Sequence, residues 1–206
     1  MTLQLTQHGA DQFQPEPSPL SAAAWLLTGN CRVVLTSRSG LVARDGQGLQ
    51  EMLNSLLQHS QLTVRLADSS QRDDVEALLE ASPCMSGFMH LPHVIKDRLI
   101  RSMERCDVPH VFSAKAIGAS NLHGAMTKQQ LDFAILFSST ASYGGFGTGA
   151  HSAANASLNA VAQCTRASGL QRSALIVPSI LEVGAAAAIA VKGAMASDPA
   201  MLATSL

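Results

Sequence analysis

The chain has 206 residues, 47% hydrophobic and 14% charged, with a formal net charge of −1. That length suits one domain with a full core. The charge-poor balance argues against a nucleic-acid surface, which needs a clustered basic excess, and no apolar run reaches the ~18 residues of a membrane helix. Met1 to Gln14 is polar and lacks the apolar core of a signal peptide. Cys31, Cys84, Cys106 and Cys164 are scattered without a CxxC pair, which reads as reduced, mostly buried thiols in a cytoplasmic chain.

Residues 1–20, with prolines at 15, 17 and 19, read as a linker. Ser21 is placed to cap a short helix through Leu27, ended by Gly29-Asn30. Arg32–Thr36 is a short β-branched run, expected as a buried strand. Gly46–His59 carries helical spacing at Leu49, Met52, Leu53, Leu56 and Leu57. Leu62–Leu66 is the next expected strand, and Asp73–Ala81 a helix with Val75, Leu78 and Leu79 inward. Gly87–Leu91 reads as a strand, followed by a long helical region over about 95–124 with a possible break at Pro109. Leu131–Phe137 is a strand, Ala150–Ser168 a helix, Ser173–Val177 a strand and Ala185–Met195 an Ala-rich helix. The expected organisation is a linker over 1–20, one domain over 21–196 and a tail over 197–206. Strands alternating with helices imply a parallel sheet covered on both faces.

The most informative stretch is Phe133–Ala160, FAILFSSTASYGGFGTGAHSAANASLNA. An apolar strand ends in hydroxyls, passes a Gly-rich loop and enters a helix. In open parallel sheets, ligands sit outside the carboxyl ends of the strands. With VVLTSRSG (33–40), LADSSQRDDVEALL (66–79), GFMHLPHVIKD (87–97), VFSAKAIGASNLH (111–123), DFAILFSS (132–139) and GTGAHSAANASLNAVA (147–162), the chain resembles the ketoreductase domain of modular polyketide synthases, in the short-chain dehydrogenase/reductase family. The order and spacing of all six segments carry the resemblance, from about Ala22 to Ala188. It implies an α/β, Rossmann-like, doubly wound parallel sheet with its first strand and glycine loop missing or decayed. It also implies NADPH-dependent reduction of a β-ketone held on a carrier-protein thioester, with acyl carrier protein and neighbouring synthase domains as partners.

The resemblance assigns roles residue by residue. Ser139 matches the serine that binds the carbonyl, Lys115 the lysine and Asn155 the asparagine of the proton relay. His151 stands where the family has its proton-donating tyrosine. It reads either as a decayed position or as a replacement acid weakened by the Lys115 ammonium. Tyr143, the sole tyrosine, lies eight residues upstream in the Gly-rich loop and is poorly placed to stand in. On the cofactor side, Arg38 between Ser37 and Ser39 suits the adenosine 2′-phosphate, Asp68 matches the acidic residue near the adenine, and His90 begins the segment beside the nicotinamide ribose. Pro92 and His93 add bulk there. The glycine loop that cradles the pyrophosphate is absent. Either the resemblance begins after the first strand, or Leu3–Gly9 is its decayed remnant. His90 and His93 have no third partner in sight for a metal, so none is expected. Two functions follow: an impaired ketoreductase, or a non-catalytic structural or docking remnant within a larger synthase.

Overall fold

The computed structural model describes residues 2–4, 22–27, 32–39, 49–59, 61–127 and 131–178. The linker over 1–20, the tail and the expected helix at 185–195 lie largely or wholly outside these. The strands are β1 (Thr2–Gln4), β2 (Ala22–Leu27), β3 (Val33–Ser37), β4 (Leu62–Leu66), β5 (Gly87–Pro92), β6 (Phe133–Ser139) and β7 (Arg172–Val177). The helices are α1 (Leu49–His59), α2 (Arg72–Glu80), α3 (Asp107–Phe112), α4 (Gly118–Met126) and α5 (Gly149–Ala167). The five strands expected from the sequence after residue 31 are all present. β3 runs parallel to β4, and β5, β6 and β7 are parallel in that order.

The gap between β3 and β5 is where sequence and structure part. The helix expected over 21–27 is a strand, and β2 runs antiparallel to both β3 and β5. β1 shares the same edge of β3 and touches β5 at Leu3. Alanine and leucine favour helix, but the edges of β3 and β5 carry backbone donors and acceptors that need partners, and a strand supplies them. The sheet is therefore parallel on both sides of an antiparallel insert. Among the described side chains, α1 buries Leu53 against Leu35. Leu49, Met52, Leu56 and Leu57 stay exposed, although their spacing is helical.

The main core lies between β5–β6 and the helices α2, α4 and α5, through Val75, Leu79, Phe88, Leu122, Leu136 and Leu158. A second cluster joins Val94, Val111, Ala114, Ala150 and Ala154, seating the start of α5 against α3 and its continuation. The expected single helix from 95 resolves into an extended arm, a 3-10 turn at Ile100–Ser102, α3, a π-helical turn at Ser113–Ile117, and α4. Pro109 does not break this run. It sits in the first turn of α3, where backbone N–H groups have no helical partner to lose. The arm is tied down by Asp107, which is buried, accepts from the Glu104 N–H at 2.8 Å, and faces Arg98 at 3.5 Å and Lys96 at 3.7 Å. Cys84, Cys106 and Cys164 are free thiols, as expected, but exposed, because each sits in a turn or on an outward helix face. Cys31 lies outside the described residues.

Gly87 sets the closeness of β5 to β6: a Cβ there would lie 2.6 Å from the Phe133 carbonyl oxygen. Gly87→Ala is expected to destabilise the fold by about 1–3 kcal/mol through this overlap. Gly124→Ala, on an open face of α4, is expected to stabilise it by about 0.5–1 kcal/mol. Denaturant melts of the two variants check the contrast.

Candidate active site

β5 and β6 pair in register from Gly87↔Phe133 to His90↔Leu136. Paired residues share a face, so Phe88 and His90 of β5 stand with Ala134, Leu136 and Ser138 of β6 on the side covered by α4 and α5. Both strands end at the same edge, and the site residues gather there.

Lys115 lies in the π-helical turn and is buried, with 3% of its surface exposed. Its Nζ donates to the carbonyl of Pro92, the last residue of β5, at 2.8 Å. Burial opposes the charge and pulls its pKa down to about 8. His151, in the first turns of α5, is half-buried. Its pKa lies below the ordinary value because of burial first and the Lys115 charge second, with the Val94 carbonyl favouring protonation. Asn155, one turn later, is fully buried. Its Nδ2 donates to the His151 carbonyl at 2.9 Å, while its Oδ1 has no hydrogen-bond partner. The structure thus brings His151 within reach of the Lys115 charge and of the Asn155 side chain.

The two serines of the β6 end divide their work. Ser138 points inward and its Oγ donates to the Asn155 backbone carbonyl at 3.1 Å. Ser139 points to the opposite face, and its Oγ accepts the Ala141 N–H at 3.2 Å, capping a 3-10 turn over Thr140–Tyr143. The Ser138 contact was not legible in sequence, because alternation alone does not say which of two adjacent serines faces the helix. Tyr143 is exposed, as its loop position suggested.

His90 is fully buried, and its Nε2 lies 3.1 Å from the Ala114 carbonyl. Burial drops its pKa to about 3. The ring is therefore neutral, and since a carbonyl only accepts, Nε2 carries the proton. This is a residue packed inside the protein, on the helix side of β5.

The residues expected at a cofactor gather at the ends of β3 and β4, which pair as Ser37↔Leu66. Arg38 is exposed, whereas Ser37 and Ser39 are buried. Asp68 is half-buried and spends Oδ1 on the Ser70 N–H at 2.9 Å, a local turn contact. The exposed guanidinium fits a phosphate. Among the described residues, however, no glycine-rich turn stands beside it to take a pyrophosphate, and the strand between β3 and β5 runs the opposite way. A groove of about 530 Å³, lined by Arg98, Ile100, Phe146 and Gly147 among others, opens beside the start of α5. None of Ser139, Lys115, His151 and Asn155 lines it.

Parallel strands ending in a Ser-Ser turn, with a buried lysine and an asparagine brought to the same edge, define a Rossmann-like α/β protein of the short-chain dehydrogenase/reductase class. The chain belongs to the KR domain family of polyketide synthases: the KR domain family model matches residues 20–181. It is 36% identical over 145 residues to erythronolide synthase EryA2 of Saccharopolyspora erythraea, covering 69% of this chain and 4% of that protein. It is 30% identical over 189 residues to a highly reducing polyketide synthase of Pyrenophora dematioidea, covering 84% and 7%. The chain therefore spans a small fraction of the curated relatives it matches. Among solved structures, it is similar to the first ketoreductase of the tylosin polyketide synthase, with TM-score 0.61, 30% identity and coverage of 82% and 38%. A short-chain dehydrogenase/reductase from Vibrio parahaemolyticus, 16% identical with TM-score 0.59 and 80% coverage of each chain, shares the fold. Among the described residues, no helix is long and apolar enough to cross a membrane.

The buried His90 and half-buried His151 imidazoles make folding pH-dependent. Both have folded pKa values below the ordinary histidine value. Below about pH 6.5 the unfolded chain takes up protons that the fold refuses. Stability is complete above that pH and declines as pH falls toward the folded value of His90. His90 alone is expected to cost about 2 kcal/mol at pH 5. Urea melts at pH 7 and pH 5 check this; equal midpoints would contradict it.

Proposed function

We propose that this chain is a β-ketoacyl reductase domain of a polyketide synthase whose turnover is impaired by His151. The carrying observation is the buried Lys115 amine beside His151 and Asn155 at the shared end of β5 and β6. The substrate is a β-keto thioester on an acyl carrier protein, in a cytoplasmic synthase with neighbouring domains. Arg38, with Ser37 and Ser39 beside it and Asp68 nearby, would hold the 2′-phosphate of NADPH, which when bound would supply the hydride.

The rest is the work of the chain's own groups. As the carbonyl carbon gains a hydride, its oxygen becomes an alkoxide. Ser139 Oγ–H donates to that oxygen. Lys115, already close to neutral pH in its titration, relays a proton with Asn155. The final donor is the weak point. Burial and Lys115 keep His151 neutral at pH 7, and a neutral imidazole is a far poorer acid than imidazolium.

A second reading, a non-catalytic structural or docking module, is favoured by the antiparallel β2 in the gap between β3 and β5. The two separate in one assay. Reduction of a model β-keto thioester by the 206-residue chain is expected to be slow. His151→Tyr is expected to raise it by about 10²-fold or more, the usual worth of a placed general acid. Unchanged, background-level turnover in both proteins would favour the structural module.

A further inference from the structure

We propose that His90 is a positioning residue for Lys115, acting through the π-helical turn that carries it. Four observations meet at this point. His90 Nε2–H donates to the Ala114 carbonyl, the residue immediately before Lys115. That carbonyl belongs to Ser113–Ile117, where the hydrogen-bond ladder widens and the Gly118 N–H reaches back to the Ser113 carbonyl. Lys115 in turn reaches back to β5, its Nζ on the Pro92 carbonyl. β5 thus grips the turn twice, at two adjacent residues, once as donor and once as acceptor. Gly118 makes room for this: a Cβ there would sit 3.1 Å from the His90 ring carbon Cε1 and 2.6 Å from Ser69 Oγ.

The π turn is the bistable element. Wide turns are rare in helices and need an outside partner to hold them. Without the His90 donor, the turn is expected to tighten to an α-helical ladder, which shifts the phase of one flank by one residue, about 100° around the axis. Lys115 would then swing off the Pro92 carbonyl toward water. His90 is neutral, so removing it takes no charge from the site. Burial accounts for the lowered Lys115 titration. The titratable groups that sense Lys115 among the described residues are His90 from β5 and His151 from α5.

The test reads the lysine itself. The sequence holds four lysines, Lys96, Lys115, Lys128 and Lys192. In protein labelled with ¹³C-lysine, the Lys115 Cε signal, identified by its loss in Lys115→Met, reports the titration of Nζ. In the wild type it is expected near pH 8. In His90→Leu, the midpoint is expected to rise by about one pH unit or more, toward the ordinary lysine value. In His90→Gln, whose amide places a donor near the same point, it is expected to stay low. A His90→Leu midpoint equal to the wild type, or a His90→Gln midpoint moved as far as that of His90→Leu, would overturn the proposal. Should His90→Leu lose its cooperative melt, Gly118→Ala carries the test, since its Cβ would lie 3.1 Å from His90 Cε1 and 3.2 Å from Nε2, so that the ring must give by a few tenths of an ångström. A rise in the same direction is expected, and an unmoved midpoint overturns the proposal. The catalytic meaning of this seat rests on the reductase reading. The titration is read without cofactor or substrate, so a failure to reduce a ketone leaves it standing.

Discussion

The parallel pairing of β5 with β6 is the constraint on which the rest depends. Its register is held close by Gly87, where any side chain would meet the Phe133 carbonyl. That pairing puts the Pro92 carbonyl and the Ser138-Ser139 pair at one edge of the sheet. Lys115 is drawn to the first through its Nζ, and α5 is tied to the second through Ser138 and the Asn155 carbonyl. Slip β5 by one residue against β6 and its side chains would change face, taking Phe88 and His90 off the buried side.

Around that edge the two halves of the molecule differ. On the helix side, polar groups are buried and mostly engaged, and the unpartnered Asn155 Oδ1 lies among them. A buried acceptor left open costs stability, and such features concentrate where chemistry is done. On the β3–β4 side, Arg38 is exposed, Asp68 serves its own turn, and the neighbouring gap holds a strand running against β3 and β5. Lys115, His151 and Asn155 sit together at one end of the sheet, whereas Arg38 stands exposed at the ends of β3 and β4.

Much of this was legible in the sequence. Short apolar runs marked β3 to β7 to within two residues, whereas the grouping of Lys115, Ser139, His151 and Asn155, and the opposition of Lys115 to a charge on His151, were implied by the family resemblance; the lowered His151 pKa, from burial first and Lys115 second, agrees with the latter. What was not legible depended on partners distant in sequence. Ala22–Leu27 has helical composition, yet the open edges of two strands recruit it. The apolar residues of α1 have helical spacing, but spacing cannot say whether another element arrives to cover them. His90 read as a cofactor-side residue from its motif, and only the structure shows its ring turned to the Ala114 carbonyl. The π turn leaves no mark in composition, since Ser113–Ile117 would form an ordinary helix without it.

The proposed function requires that the chain bind NADPH through Arg38, at the sheet end that also carries Lys115, His151 and Asn155. Fluorescence titration of the 206-residue protein with NADPH, with NADH as control, tests it most directly. The account predicts saturable binding that prefers NADPH, with the preference lost in Arg38→Ala. A cooperatively folded protein that binds neither nucleotide would contradict it.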